Sequence, residues 1–198
     1  MKSSLNNFLI ILISPSGGGK SVILKRLLAR NADIEYSVSF TTRKMRKSEA
    51  NGKAYHFIST ETFVEMNQQN DFLESALVHQ NWYGTSKSFI ESRLKSGKHI
   101  IMDIDVQGAK QILSKIDAVT IFILPPSREI WLNRLNNRGT ESAEDLKIRL
   151  KTAEKEIAEI GDFQYLVIND ELDSAVKNIE EIIRVEEKKI KRYSKINF

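Results

Sequence analysis

The stretch SPSGGGKS, Ser14 to Ser21, follows directly on the apolar run FLIILI, Phe8 to Ile13. Against the phosphate-binding loop pattern G-x-x-x-x-G-K-[S/T] it matches at Gly19, Lys20 and Ser21, and it carries Ser14 where the first glycine belongs. Such a loop works through backbone N–H groups that curve round a phosphate and lead into the positive end of a helix. From Ser16 onward, Gly17, Gly18 and Gly19 remove side chains where the chain turns most tightly. Lys20 adds a mobile positive charge for the outer phosphates, and Ser21 a hydroxyl for Mg²⁺. Ser14 costs little at the strand-to-loop junction if its φ is negative, and about 1 kcal/mol if its φ is positive.

The flanks supply the context that the motif needs. Phe8–Ile13 is continuous, β-branched and bounded by a turn, which predicts a buried strand. Lys20–Arg30 places Ile23, Leu24, Leu27 and Leu28 at three-to-four spacing, the pattern of a helix packing one face. Three more apolar runs read as strands: HIIMDI at His99–Ile104, VTIFIL at Val119–Leu124 and YLVI at Tyr165–Ile168. Helical patterns at Phe89–Ser96 and Ser127–Asn137 lie between them. Pro125 and Pro126 stop the third strand, and Ser127 is a helix cap. Strand alternating with helix predicts an α/β fold of three layers, a central parallel sheet covered on both faces.

Two segments fall outside this alternation. Residues 38–86 hold short strand candidates, the charged turn RKSEANGK and a helical TETFVEMNQQN capped by Thr60. They read as an inserted mixed α/β region, leaving 1–37 and 87–198 as the core. Within the core, charged helices at about 133–160 carry a thin stripe of Leu146, Leu150, Ala153, Ile157 and Ile160, and Gly139 breaks them from the preceding helix, which suits a hinged lid. Leu172, Val176, Ile179 and Ile183 give the last helix one apolar face, and KKIKRYSK after it reads as a solvated basic end.

Composition narrows the class. The chain has 198 residues, with 30 Lys and Arg against 26 Asp and Glu, a formal charge of +4. That small excess suits anionic ligands without indicating nucleic acid. With no cysteine, a disulfide framework, a thiolate metal site and a thiol nucleophile are excluded. FLIILI runs into a glycine loop and not into a cleavage site, and no run approaches the roughly 18 apolar residues of a spanning helix. A cytoplasmic protein without a membrane partner is the expectation.

Several side chains could carry chemistry beyond the loop. IIMDID supplies Asp103 and Asp105, which share one side of an extended chain. Paired carboxylates need a cation or hydrogen-bond donors to meet them, and both a Mg²⁺ water shell and a nucleobase edge answer that need. Arg43 and Arg46 in SFTTRKMR can fork onto a doubly charged phosphate, with the hydroxyls of Tyr55 and Tyr83 completing its hydrogen bonds. Guanine offers two donors beside an acceptor. Glu74 can take both protons, and Ser39 or Thr85 can reach the acceptor; adenine would confront that carboxylate with an acceptor of its own.

The ordered blocks SPSGGGKS, SVSFTTRKMR, NGKAYHF, FLESA, WYGTS, MDIDVQGA, IFILPPS, RLNNRGTES and VIND together resemble the guanylate kinase family over almost the whole chain. The resemblance implies a P-loop core, an inserted GMP-binding region and an ATP-side lid, transferring the γ-phosphate of ATP to GMP or dGMP with Mg²⁺. It implies ATP contacts from Ser16 through Val22 and from Asn169. It puts Ser39, Glu74 and Thr85 at guanine, and Arg43, Arg46, Tyr55 and Tyr83 at the GMP phosphate. Asp103 and Asp105 belong near GMP, Ser21 on the metal directly and Asp103 on it through water. Lys20, Arg43, Arg134, Arg138 and Arg149 stabilise the transferred phosphoryl group. The partners implied are small nucleotides, acting on a monomer or homodimer.

This chain departs from the family pattern at Ser14, at Val22 where threonine is common, and at Met45 and Ser48 where proline and glycine shape the arginine loop. Loss of the proline loosens that loop by about 0.4–1 kcal/mol, which predicts weaker or slower GMP engagement. Two other readings compete. One is a guanylate-kinase-like module that binds phosphopeptides, against which Gly19, Lys20, Ser21 and the lid arginines argue. The other is a kinase of another monophosphate, against which Glu74 with Ser39 argues.

Overall fold

The computed structural model describes residues 4–47, 49–78, 80–136 and 143–195. Along the chain come β1 (Ser4–Leu5), β2 (Leu9–Ile13), α1 (Lys20–Arg30), β3 (Ile34–Tyr36), β4 (Phe40–Thr41), β5 (His56–Phe57), α2 (Thr60–Gln68), β6 (Phe72–Val78) and β7 (Asn81–Ser86). Then follow α3 (Lys87–Lys95), β8 (His99–Asp103), α4 (Val106–Leu113), β9 (Ala118–Leu124), α5 (Arg128–Asn136), α6 (Ala143–Ala158), β10 (Tyr165–Ile168), α7 (Leu172–Glu187) and β11 (Tyr193–Lys195).

The four strands predicted from apolar runs join β3 in one parallel sheet of order β10-β9-β2-β8-β3. Because strand side chains alternate, β2 feeds both layers. Ile10 and Leu12 pack with Ile23, Leu24 and Leu27 of α1 and with Val176, Ile179 and Ile183 of α7. Leu9, Ile11 and Ile13 pack on the other face with Ile90 of α3 and with Val106, Ala109 and Ile112 of α4. All five β2 side chains are removed from water, each worth about 1.5–3 kcal/mol. The three-layer α/β fold follows.

Four short strands form a second, mixed sheet of order β5-β4-β7-β6, with only the β4–β5 pair parallel. Leu73 of β6 belongs to the core under α3 and α4, and Gln111 of α4 bonds both the N–H and the carbonyl of Ser75. The second sheet is thereby fastened beside the carboxyl ends of β2 and β8.

Several local expectations change. The first strand starts at Leu9, and the run His99–Ile104 ends as a strand at Asp103, because Asp105 accepts the N–H of Gly108 at 2.8 Å and caps α4. Thr60 is the first residue of α2; its cap is Ser59, whose Oγ accepts from the Thr62 N–H at 3.1 Å. Ser127 does cap α5, through the N–H of Ile130. Of the stripe expected at about 133–160, Leu150, Ala153 and Ile157 pack on Trp131 and Leu135, Ile160 joins the core, and the Leu146 side chain lies outside what the structure describes. Gly139 lies outside the described residues.

The basic end is not simply solvated. Arg192 is buried over the Phe8 ring, 4.4 Å from its centroid, and its guanidinium pairs with Asp117 at 2.9 Å and with buried Glu186 at 3.4 Å. β11 then pairs antiparallel with β1, clasping the two ends of the chain together.

Candidate active site

The loop from Ser14 to Gly19 leaves the carboxyl end of β2 and turns into α1, whose first turn contains no acidic residue. Gly17 and Gly19 have φ of +85° and +92°, values that disfavour any residue with a Cβ. Among the described residues only Asn70 and Gln80 share positive φ without being glycine, so Ser14 carries no left-handed strain. Its Oγ lies 1.9 Å from where a Cβ on Gly18 would stand; the serine and the neighbouring glycine therefore fit as a pair.

Two supports hold the loop from the side of β10 and α5. Asn169 donates Nδ2 to the Gly18 carbonyl at 2.8 Å, and its own carbonyl accepts from Arg134 Nη1 at 3.1 Å. Its amide thus braces the loop. Trp131 Nε1 donates to the Ser16 carbonyl at 2.7 Å, and Leu135 closes against Gly17. Sequence reading did not single out Trp131, since an indole on a helix reads equally well as packing.

Lys20 Nζ points across the loop toward the end of β8. It lies 3.4 Å from the Ile104 carbonyl and 3.9 Å from Asp103 Oδ2. The other oxygen of Asp103 accepts from the Tyr36 hydroxyl at 2.6 Å, a partner that sequence reading also missed. Ser21 and Val22 are exposed on the first turn of α1.

Beyond Asp103 opens a cavity of about 240 Å³, lined by Lys20, Ser39, Tyr55, Glu74, Tyr83, Asp103 and Asp105 among others. Seven of the residues singled out from sequence thus share one chamber. Glu74 and Thr85 face each other across β6 and β7, and Thr85 Oγ1 donates to Glu74 Oε1 at 2.7 Å. Burial pushes the Glu74 carboxyl up to about 7, against the opposing effect of the Thr85 bond. Gly108 leaves room here, since a Cβ would stand 3.1 Å from Glu74 Oε2.

Arg43 and Arg46 are not among the residues that line this cavity. Arg43 Nη2 is bonded to Glu49 at 2.7 Å, its Nη1 to the Lys44 carbonyl at 2.9 Å, and its guanidinium stands over the rings of Tyr55 and Phe57. Glu49, which sequence reading passed over, also accepts the backbone N–H of Arg46, whose side chain is exposed. Arg149 falls on α6, and Arg138 and Ser48 lie outside the described residues.

A divalent cation fits this setting only in one manner. The described residues contain no group of three carboxylate, imidazole or thiolate ligands, but Ser21, which follows Lys20 on α1, and Asp103, 3.9 Å from Lys20 Nζ, are hard oxygen donors. That donor set suits Mg²⁺, which keeps its waters and takes most ligands from substrate phosphates.

The family model described as guanylate kinase matches residues 6–186. A guanylate kinase of Clostridium perfringens (strain SM101 / Type A) is 45% identical over 185 residues, covering 93% of this chain and 86% of that protein. One from Methylobacillus flagellatus is 44% identical over 193 residues, covering 95% and 96%. The crystal structure of guanylate kinase from Anaplasma phagocytophilum superposes with a TM-score of 0.80 at 30% identity, covering 97% of this chain and 92% of that one.

Proposed function

The chain belongs to the guanylate kinase family, and we propose that it transfers the γ-phosphate of ATP to GMP, and to dGMP, by in-line attack between two sites facing each other across Lys20 and Asp103. The observation that carries the two-site reading is the placing of a glycine loop with Lys20 on one side of a chamber and buried Glu74 on the other.

In this reading the amides from Ser16 to Ser21, with Lys20, hold the donor phosphates. Lys20 leaves the Ile104 carbonyl to reach them, which its flexible stem allows. Asn169 and Trp131 keep the loop amides in place. Ser39, Glu74 and Thr85 read guanine, the ionised carboxylate accepting its two N–H groups. Arg43, Arg46, Tyr55 and Tyr83 take the acceptor phosphate, Arg43 exchanging its Lys44 or Glu49 contact for phosphate oxygens. The acceptor oxygen is already nucleophilic, so no general base is required. Arg134, Arg138 and Arg149 approach on lid closure, which also keeps water from the γ-phosphate.

Ser21 directly and Asp103 through water would hold Mg²⁺, which when bound neutralises phosphate charge. A cytoplasmic location, monomeric or homodimeric state and indifference to nucleic acid belong to the same proposal; among the described residues no helix is long and apolar enough to cross a membrane.

The test is ADP release with ATP and each of GMP, dGMP, AMP, UMP and CMP. Stimulation by GMP and dGMP at least about 100-fold above the others supports the assignment. Equal rates with AMP would remove Glu74 and Ser39 from base selection.

A further inference from the structure

Tyr36 is the last residue of β3, the edge strand of the core sheet, and sits opposite Ile101 in the β8 register. Its ring leans along the strand direction to reach Asp103 at the carboxyl end, where the hydroxyl donates to Oδ1 at 2.6 Å. The other carboxylate oxygen faces Lys20 Nζ at 3.9 Å. One oxygen is therefore anchored and the other is presented to the lysine and the space between the two nucleotide sites.

A bare aspartate rotates easily about its last torsion, because that sp³–sp² torsion has broad wells. Asp103 has neighbours that could turn it, since Lys20 attracts it from 3.9 Å and Tyr55 and Asp105 line the same chamber. The Tyr36 ring is packed against the core under α1 and cannot follow such a movement. The direction of the bond follows from the two groups, since the phenol O–H donates and the carboxylate accepts.

We propose that Tyr36 is a positioning residue for phosphoryl transfer, holding Asp103 so that Oδ2 stays aimed at Lys20 and available to the Mg²⁺ that Asp103 would help to hold. The proposal rests on the role assigned to Asp103 above. Removing the hydroxyl leaves the ring and its packing, so its effect should appear in the transfer step and not in nucleotide affinity.

The experiment is a double-mutant cycle of Tyr36→Phe and Asp103→Asn, with kcat and both KM values measured and the folded fraction read by circular dichroism at the assay temperature. Mn²⁺ affinity of the enzyme·ADP complex, read by electron paramagnetic resonance, adds a measurement independent of turnover. Tyr36→Phe is expected to lower kcat about 10- to 100-fold with both KM values within about threefold, and to weaken Mn²⁺ several-fold. In the Asp103→Asn background it should add almost nothing. A kcat within twofold of wild type, a loss carried by KM, unchanged Mn²⁺ affinity, or losses that multiply would overturn it. Wild-type kcat in Asp103→Asn would overturn the role of Asp103 itself, and absence of GMP-dependent turnover in the wild type would overturn the kinase assignment instead.

Discussion

Thr85 Oγ1 donates to Glu74 Oε1 at 2.7 Å, both residues being buried and Glu74 lining the chamber. The threonine favours the ionised carboxylate, but burial outweighs it and pushes the acid up to about 7. Between pH of about 4.5 and about 7 the folded protein therefore holds a proton that the unfolded chain has lost. This group's contribution to stability is present at low pH and declines as pH rises through that window.

Guanine's two N–H donors require the ionised form, so GMP binding below pH 7 should release up to one proton. Affinity for GMP is expected to rise about tenfold between pH 6 and pH 8 and then level off. Calorimetry in two buffers of different ionisation enthalpy measures both effects. A GMP affinity flat across this range, with no buffer dependence, would remove Glu74 from contact with the base.

Glu74→Gln keeps the size of the side chain but offers a donor where guanine also donates. The variant should lose about 100-fold in kcat/KM for GMP, while the dissociation constant for ATP changes less than about twofold. Steady-state kinetics with calorimetric ATP titration separate the two, and equal damage to both substrates contradicts the assignment.

Gly19→Ala meets two obstacles at once, a φ of +92° and an Asn169 Nδ2 only 2.2 Å from the new Cβ. The loop must move and the brace to Gly18 must break. We expect a loss of about 1–3 kcal/mol, a Tm lower by roughly 2–4 °C per kcal/mol, and ATP binding reduced beyond what the stability loss explains. Differential scanning calorimetry with and without ATP measures each part.

Arg192→Ala would leave Glu186 buried with Tyr165 and Lys189 as its remaining partners, and would strip Phe8 of the cation above it. Burial tends to raise the Glu186 carboxyl, but its bonds from Lys189 and Tyr165 outweigh this and hold it low. The variant should be less stable by about 2–4 kcal/mol near neutral pH, with kcat unchanged at temperatures where it stays folded. The difference between wild type and variant should shrink as pH falls and Glu186 takes up a proton. Urea unfolding at several pH values checks it.

The contrast between β2 and β3 explains what sequence could and could not reveal. β2 is five apolar residues in a row before a glycine loop, so its burial on both faces is written into its composition. β3 is three residues, Ile34, Glu35 and Tyr36, at a sheet edge with one face half exposed, and no periodicity marks it. Tyr36 was missed for the same reason, since its partner Asp103 is 67 residues away. Helix α4 escaped because Asp105 reads as a continuation of the strand that holds Asp103. Only the cap from Asp105 to the Gly108 N–H reveals the helix start. Likewise Ser59 and Thr60 are equally good caps in sequence, and the helix register alone chooses Ser59. The loop glycines, Lys20, Glu74, Tyr55, Tyr83 and Asp103 were legible because each carries chemistry a packed core does not need. Trp131, which holds the loop, and Glu49, which holds Arg43, are ordinary residues whose partners are set by tertiary structure.

The most direct measurement is phosphorus NMR of ATP, GMP and Mg²⁺ incubated with the protein. The account predicts ADP and GDP appearing in equal amounts, with the rate in Lys20→Ala lower by about 10³-fold. ADP accompanied by inorganic phosphate at the same rate with and without GMP, and no GDP, would contradict it.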